Sequence, residues 1–229
     1  MSDIAANTDH RQNQEPDPEF IAGQLRKPSG DFAPQIAESM DKVNKPLWEL
    51  TVSSMQPADD DTLLEIGFGS GSFFEELFST SRNFTVYGID YSMDMVRLAS
   101  KVNAKRISSG QLSLTTDNSD NLPYPDQFFD NVFCNNVIYF WDIPEKHLNE
   151  VRRVLKPGGR FYTGIRPKTC MLQLPVIKYG FTLYSPNEWV SVLTRNGFRH
   201  IEIQRSLDPV VTFNEQAVQM ESFSISGAP

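Results

Sequence analysis

The sequence predicts an α/β fold with a doubly wound, mostly parallel sheet and helices on both faces. Two observations support this prediction. Short apolar runs such as Leu63–Ile66 and Phe84–Ile89 alternate with segments of helical pattern, which is the order of elements that builds a parallel sheet. The first run leads into glycines at three alternate positions, 67, 69 and 71, where the chain must bend at the sheet edge. A chain of 229 residues is long enough to form one such domain with its own core.

The glycine-rich loop lies where a ligand-binding loop is expected. The apolar residues around Glu65 suit a strand buried on both faces, and open α/β sheets bind ligands at the carboxyl ends of such strands. Glycine lets the backbone turn sharply and approach a ligand without a Cβ clash. The segment Ser72–Phe78 is predicted to be a helix whose amino end faces that ligand. The predicted cofactor-binding residues of this segment are Glu65, Gly67, Phe68, Gly69 and Gly71.

The glycine spacing helps to distinguish between cofactors. The dinucleotide fingerprint G-x-G-x-x-G needs a glycine at position 72, where this chain has Ser72. A carboxylate such as Glu65 suits a cofactor with an ammonium group better than one with a pyrophosphate. The pattern E-x-G-x-G-x-G resembles motif I of class I methyltransferases that use S-adenosyl-L-methionine (SAM). The resemblance implies SAM as the cofactor and S-adenosyl-L-homocysteine (SAH) as the product.

The second apolar strand ends in an acid. Asp90 lies 23 positions after Gly67. A carboxylate about 20 residues after the first glycine is typical of one that binds the hydroxyls of a ribose. The alternative is that Asp90 only caps the next helix, but Ser92 is the better N-cap residue. We therefore expect Asp90 to bind the ribose and Tyr91 to lay its ring against the adenine.

A polar turn after the third predicted strand is expected at the same edge of the sheet. In methyltransferases of the ubiquinone/menaquinone-biosynthesis type, the matching turn has an acid or Asn shortly before a Leu-Pro pair. The resemblance places this adenine-reading role on Asn118, with Asp117 one residue away, and the assignment stays open between them. The backbone amide of Ser119 is a further candidate. A plain polar turn is the alternative for each of these residues.

The fourth strand leads towards the predicted substrate mouth. Phe128–Asn136 resembles the F-D-x-V segment of the same family, which leads to the methionine end of the cofactor. The resemblance implies that the backbone of Asn135 contacts the methionine ammonium. Tyr139 follows within one turn, and we predict that it is the catalytic polar group on the substrate side.

The resemblance extends from Leu63 to about Ile165. The V-L-K-P-G-G-R turn is predicted to end a helix at Leu155 and to precede a fifth strand, Arg160–Ile165. A capping box at Ser185 predicts one more helix. The chain thus resembles class I SAM-dependent methyltransferases, in particular the small ubiquinone/menaquinone-biosynthesis type. This implies a Rossmann-like sheet of about seven strands and methyl transfer to a small organic acceptor by in-line displacement.

Three regions are expected along the chain. Residues 1–18 lack the apolar core of a secretory signal and are predicted to be a disordered tail. Residues 19–58 are predicted to be a helical cap, and residues 59–229 the SAM-binding domain with a lid-like insert at about 168–184. The acceptor pocket is expected to combine this insert with cap residues and the segment after the fourth strand. The residues expected from the latter two are Met40, Val43, Leu47, Trp48, Tyr139, Phe140 and Trp141.

Composition narrows the function classes. The net charge of −8 argues against a nucleic-acid substrate, whose phosphates need a basic surface. No apolar run reaches the length of a membrane span. With two cysteines, one of them in a predicted buried strand, a disulfide scaffold is not expected and the cytoplasm is the default location. No C-x-x-C or H-x-x-x-H spacing occurs, so no metal is expected, and the oligomeric state is left open.

No general base stands out in the sequence. His147 lies among polar residues of a predicted helix, and His200 alternates with apolar residues of a predicted strand, so both are expected to be exposed surface residues. Two alternatives of other classes remain. An NAD-dependent oxidoreductase is disfavoured by Ser72 and Glu65, and a non-catalytic SAM- or nucleoside-binding protein of this fold is not distinguished by the sequence.

Overall fold

The computed structural model describes residues 17–79, 83–213 and 216–229. A disordered tail was predicted for residues 1–18, and residues 1–16 of it lie outside the described part of the chain. Helix α1 (Pro18–Arg26) already begins at Pro18, because Asp17 accepts a hydrogen bond from the amide of Glu19 at 3.2 Å and a proline fits the first helical turn. A short 3₁₀ helix (Gly30–Phe32) then leads into α2 (Ala33–Met55).

Nine strands follow in the described part of the chain. They are β1 (Thr62–Ile66), β2 (Thr85–Asp90), β3 (Leu112–Thr116), β4 (Phe129–Asn135), β5 (Leu155–Ile165), β6 (Arg199–Leu207), β7 (Val211–Phe213), β8 (Gln216–Val218) and β9 (Glu221–Ala228). Seven of them form one sheet in the order β3-β2-β1-β4-β5-β9-β6. The first five of that order pair in parallel, and β9 is antiparallel to both β5 and β6. The predicted doubly wound, mostly parallel sheet of about seven strands is confirmed.

The remaining helices connect these strands. They are α3 (Phe74–Phe78), α4 (Met93–Val102), α5 (Ala104–Ser108), α6 (Pro144–Val154), α7 (Lys168–Met171) and α8 (Pro186–Arg195), with 3₁₀ helices at Ile138–Phe140 and Pro175–Lys178. The helix predicted from Ser72 starts two residues later, because Gly71 has φ +68° and the glycine loop continues through it. Ser185 and Glu188 form the predicted capping box at the start of α8.

The K-P-G-G turn belongs to β5 and not only to a loop before it. Leu155 already pairs with Phe129 of β4, and the regular register resumes at Arg160 opposite Asn131. The bulge between these two pairs absorbs Gly158, whose φ is +85°. The fifth strand therefore begins five residues earlier than the predicted boundary.

Both faces of the sheet are covered by helices. Side chains of β1, β4 and β5 on one face pack against α6 and α8, with Leu148 and Trp189 completely buried there. The other face carries Leu63 and Phe133 and packs against α2, α3 and α4. Such burial on both faces explains why these strands have continuous apolar sequences. Cys134 is buried and unpaired, as the sequence predicted.

The direction of the strand order reverses between β1 and β4. From β1 the chain proceeds outward to β2 and β3, and it then returns to the other side of β1 with β4. Ligands of open α/β sheets bind outside the carboxyl ends of the strands at such a switch point. Within the described ranges, no helix is long and apolar enough to span a bilayer.

Candidate active site

A cavity of about 500 Å³ lies at the carboxyl ends of β1, β2, β3 and β4. This volume is in the range of small-molecule sites. Eight of the residues predicted to bind a cofactor line the cavity, and they come from four separate loops: Gly67, Gly69, Asp90, Tyr91, Asp117, Asn118, Ser119 and Asn135. The fold thus brings together residues that are up to 68 positions apart in the sequence.

Asp90 connects the ends of β1 and β2. Its Oδ2 accepts a hydrogen bond from the amide of Gly69 at 2.9 Å, and its Oδ1 accepts one from the amide of Ser92 at 2.8 Å. Ser92 itself caps α4 by accepting from the amide of Met95, as the sequence predicted. Burial raises the pKa of Asp90 to about 6, while the two amides act in the opposite direction. At pH 7 Asp90 is therefore mostly a carboxylate that also faces the cavity.

Two glycines of the loop have different surroundings. Gly67 has φ +72°, and a Cβ there would lie 2.4 Å from a methyl carbon of Val137. Gly69 has φ +59°, and a Cβ there would meet no atom within 4 Å. Because Gly69 lines the cavity, the empty volume above it is available to a ligand that approaches the backbone closely.

Phe68 and Gly71 do not line the cavity. Phe68 is buried and packs over Gly88 of β2, where a Cβ would lie 2.7 Å from its ring. A Cβ at Gly71 would lie 2.7 Å from the Cβ of Ala99 in α4. Both residues therefore shape the loop against its neighbours, and direct cofactor contact by either one stays a prediction.

Glu65 is buried below the loop and is not part of the cavity wall. Burial raises its pKa to about 8, and the carboxyl of Asp90 adds to this increase. The indole N–H of Trp48 approaches Glu65 and lowers its pKa by less, without reaching hydrogen-bond geometry. Glu65 is thus mainly neutral at pH 7, whereas its place in the sequence motif led us to expect a carboxylate.

The turn after β3 forms one wall together with α6. Ser119 is buried, and its hydroxyl lies 2.8 Å from Nδ1 of His147. The ring of His147 stacks on Trp141 with the centroids 4.6 Å apart and the planes 2° apart. The prediction that His147 is an exposed surface residue is therefore wrong. Burial lowers the pKa of this imidazole, which favours its neutral form.

Tyr139 is not placed to act on a substrate. Its side chain is 1% exposed, and it does not line the cavity. Its hydroxyl accepts from the amide of Arg166 at 2.6 Å and donates to the carbonyl of the same residue at 2.9 Å. Burial raises the pKa of this phenol far above its usual value. The predicted catalytic role is corrected to a structural one, since both functions of the hydroxyl are occupied by the backbone.

The end of β4 carries two asparagines that line the cavity. Asn135 lies 2.7 Å from the hydroxyl of Thr51 in α2, and its other amide atom is buried without a protein partner in the described chain. Asn136 has φ +56°, and its amide nitrogen donates to Oδ1 of Asn44 at 2.9 Å. Helix α2 therefore contacts both residues.

The segment Gln24–Gly30, which we call the strap, covers one side of the cavity. Arg26 donates to the carbonyl of Phe140 at 3.3 Å and forms an ion pair of 3.0 Å with Asp142. The carbonyl of Pro28 accepts from the hydroxyl of Ser92. The sequence reasoning assigned no role to the strap. No local pattern indicates these contacts, because their partners lie 64 to 116 positions away.

Further strap contacts reach the residues after β2. The amide of Gly30 donates to Asp94 at 3.0 Å, and the ammonium of Lys27 lies 4.0 Å from the ring centroid of Tyr91. The strap is therefore bound to both sides of the cavity.

The expected acceptor pocket is formed only in part. Met40, Phe140 and Trp141 line the cavity, whereas Val43 is exposed and Leu47 and Trp48 belong to the buried core. The insert at 168–184 contributes no residue to the cavity wall, and its 3₁₀ helix packs against α1. Its role as a lid stays a prediction.

Comparison with known proteins identifies the domain. Residues 64–163 match the family model described as a methyltransferase domain. The chain carries the methyltransferase domain of SAM-dependent enzymes. An uncharacterized methyltransferase of Bacillus subtilis, YdaC, is 28% identical over 125 residues, which cover 55% of this chain and 67% of that protein. The predicted enzyme class is confirmed, and the alternative of an NAD-dependent oxidoreductase is set aside.

Other similar proteins agree with this identification. The ubiquinone/menaquinone biosynthesis C-methyltransferase UbiE of Geotalea daltonii is 28% identical over 110 residues, covering 48% of this chain and 47% of that protein. The structure of Haemonchus contortus phosphoethanolamine N-methyltransferase 2, which was solved with SAM, superposes with a TM-score of 0.67 at 14% identity. The superposition covers 91% of this chain and 60% of the other chain, and it shows that the two chains share a fold.

SAM is the cofactor of this methyltransferase domain. The residues present fit it: Asp90 offers a carboxylate at the cavity wall, Gly69 leaves room above its backbone, and Asn135 has an amide atom without a protein partner in the described chain. SAM supplies a methyl group that is already activated by its sulfonium, and SAH is the product.

Proposed function

We propose that this methyltransferase acts on a small organic acceptor. The single observation that carries the proposal is the strap across the cavity. Arg26 ties it to the segment after β4, and Pro28 ties it to the loop after β2. A cavity enclosed in this way admits a small molecule, whereas a nucleic acid or a folded protein needs an open cleft. The net charge of −8 also disfavours a nucleic-acid substrate.

The strand order supports a particular placement of the cofactor. The turn with Asp117, Asn118 and Ser119 follows β3, Asp90 ends β2, and Asn135 ends β4 on the far side of β1. A nucleoside held by its base at β3 and by its ribose at β2 must pass the glycine loop to reach β4. We therefore assign the adenine to the turn after β3, the ribose to Asp90 and the methionine half to Asn135.

The cavity surface as a whole is largely apolar, although Arg26, Asp142 and Lys146 also line it near the strap. It includes Leu25, Met40, Val137, Phe140 and Ile143. Such a lining favours an acceptor with an apolar or aromatic body. Holding the acceptor in line with the transferred methyl group and excluding water supplies up to about 7 to 11 kcal/mol of the barrier reduction. The proposal therefore does not require the buried His147 as a dedicated base.

A labelling experiment tests the proposal. The protein is incubated with methyl-labelled SAM and a cell extract that has been divided into small molecules, RNA and protein. We expect label in the small-molecule fraction with formation of SAH, and less of both with Asp90→Ala when the SAM concentration is limiting. Label in RNA or protein would contradict a small acceptor. SAH formation in no fraction, despite SAM binding, would favour the non-catalytic alternative.

A further inference from the structure

Helix α2 makes two side-chain contacts with the end of β4, although it lies outside the residues that match the methyltransferase domain. Thr51 lies 2.7 Å from the amide of Asn135, and Asn44 accepts from Asn136 at 2.9 Å. Positions 44 and 51 are two helical turns apart and therefore share one face of α2. Thr51 is completely buried, so this face is fixed against the sheet.

Asn136 has the conformation that makes the second contact possible. Successive side chains of a strand point to opposite faces, so one helix normally reaches only every second residue. The φ of +56° at Asn136 breaks this alternation, and Asn is one of the few residue types that adopt it readily. The backbone amide of Asn136 donates to the carbonyl of Gly164 at 2.9 Å, and its side-chain amide donates to Asn44. These contacts hold Asn136 in place.

The hydrogen bonds of Thr51 determine how the amide of Asn135 is oriented. The Thr51 hydroxyl also lies 3.0 Å from the carbonyl of Leu47. If Oδ1 of Asn135 is the amide atom that faces Thr51, the hydroxyl has two oxygen neighbours but only one proton to donate. Turning the amide over resolves this conflict, since its N and O occupy equivalent positions. The amide NH₂ then donates to Thr51, which donates to Leu47. The buried atom without a partner becomes the oxygen of Asn135.

We infer that Thr51 and Asn44 are positioning residues for the methionine half of SAM. Thr51 holds the side chain of Asn135 and Asn44 holds the adjoining Asn136, so both asparagines keep one orientation where they line the cavity at the end of β4. The inference rests on the proposed placement of the methionine half at β4. It gives α2 a function in cofactor recognition that the matched domain does not contain.

Two nucleosides distinguish positioning from general stability. SAH carries the amino-acid half, whereas 5′-deoxy-5′-methylthioadenosine lacks it. Binding of each is measured by calorimetry for Thr51→Val, Asn44→Leu and Asn44→Asp, together with the unfolding free energy of every variant. Ser54→Ala is the matched control, because its hydroxyl also bonds a carbonyl within α2, that of Leu50 at 2.7 Å, and touches no residue of β4.

We expect Thr51→Val and Asn44→Leu to weaken SAH binding about tenfold, because the asparagines beside the amino-acid half lose their fixed orientation, and to leave methylthioadenosine binding unchanged. Asn44→Asp keeps the accepting oxygen and should restore SAH binding. Equal losses for both nucleosides, or no loss for either, would overturn the inference. Because neither probe has a sulfonium that can donate a methyl group, this outcome is independent of the identity of the acceptor.

Discussion

The carboxylate of Asp90 accepts a hydrogen bond of 2.9 Å from the backbone amide of Gly69. The acid at the end of β2 therefore holds the glycine loop after β1 in its ligand-binding shape. In the sequence, Gly69 and Asp90 are separated by α3 and by β2, whose last residue is Asp90. Asp90 also lines the cavity, so we expect it to couple the shape of the loop to cofactor binding.

The first prediction concerns Asp90→Ala. We expect SAM binding to weaken by about 1 to 3 kcal/mol, because the ribose hydroxyls lose an acceptor and the loop loses its contact at Gly69. Isothermal titration calorimetry measures the effect. Asp130→Ala is the matched control, since Asp130 also accepts from a backbone amide, that of Thr62 at 2.8 Å, but does not line the cavity. Unchanged affinity in Asp90→Ala would remove this residue from the site.

The second prediction compares two glycines of the loop. Gly69→Ala should fold with a loss of about 1 to 2 kcal/mol from its positive φ, and should bind SAM at least about tenfold more weakly because the methyl group enters the cavity. Gly67→Ala should lose about 2 to 4 kcal/mol of stability, because its Cβ also overlaps Val137. Urea unfolding and calorimetry measure the two effects.

Gly110→Ala is the control for backbone strain alone, because Gly110 has φ +77° and a Cβ there would meet no atom within 4 Å. It should lose as much stability as Gly69→Ala and keep its affinity for SAM. If Gly69→Ala also kept its affinity, the space above Gly69 would not be cofactor space.

Local patterns in the sequence were sufficient to predict the sheet and most of the loops that line the cavity. The glycine loop directly follows β1 and Asp90 ends β2, so a short stretch of sequence around each strand end was enough to predict each feature. His147 was predicted wrongly because its sequence neighbours are polar, whereas its burial depends on stacking against Trp141 from the loop before α6. The strap was missed for the same reason, since Arg26 meets Asp142 only in the folded chain.

Tyr139 shows a further limit of local reasoning. Its position shortly after β4 is consistent with a substrate-side role, but the backbone of Arg166 occupies its hydroxyl. That partner lies 27 positions later, just after the end of β5. Whether a polar side chain is free for chemistry depends on hydrogen bonds that form only when the strands align.

The third prediction concerns the pH dependence of stability. Burial raises the pKa of Glu65 to about 8 in the folded protein, from 4.5 as the ordinary value. Between these values the folded state holds a proton that the unfolded state has lost, so stability falls as pH rises. Glu65→Gln lacks this titrating group. As the pH is raised from about 6 to about 9, its free energy of unfolding should therefore increase by about 2 to 3 kcal/mol relative to that of the wild type.

Urea unfolding at about pH 6, 7, 8 and 9 measures the difference between the two proteins. Glu75→Gln is the control, because Glu75 is exposed and pairs with Arg106 on the surface. Parallel stability curves for the wild type and Glu65→Gln would show that Glu65 is already ionised in the folded protein at the lowest of these pH values.

The last prediction concerns the strap. Its ion pair between Arg26 and Asp142 is largely exposed, with side chains 39% and 80% accessible, and such pairs contribute little to stability. Arg26→Ala should therefore leave the fold intact and loosen the strap over the cavity. If the strap acts as a gate, association and dissociation of SAH should both accelerate, by about two- to fivefold.

Stopped-flow tryptophan fluorescence follows both rates, because Trp141 lines the cavity. Lys42→Ala is the matched control, since Lys42 forms a similarly exposed pair with Glu38 within α2. Raising the salt concentration should accelerate SAH exchange in the wild type and have less effect in Arg26→Ala, because salt screens the exposed pair. Faster dissociation without faster association would make Arg26 a direct contact of the ligand and not part of a gate.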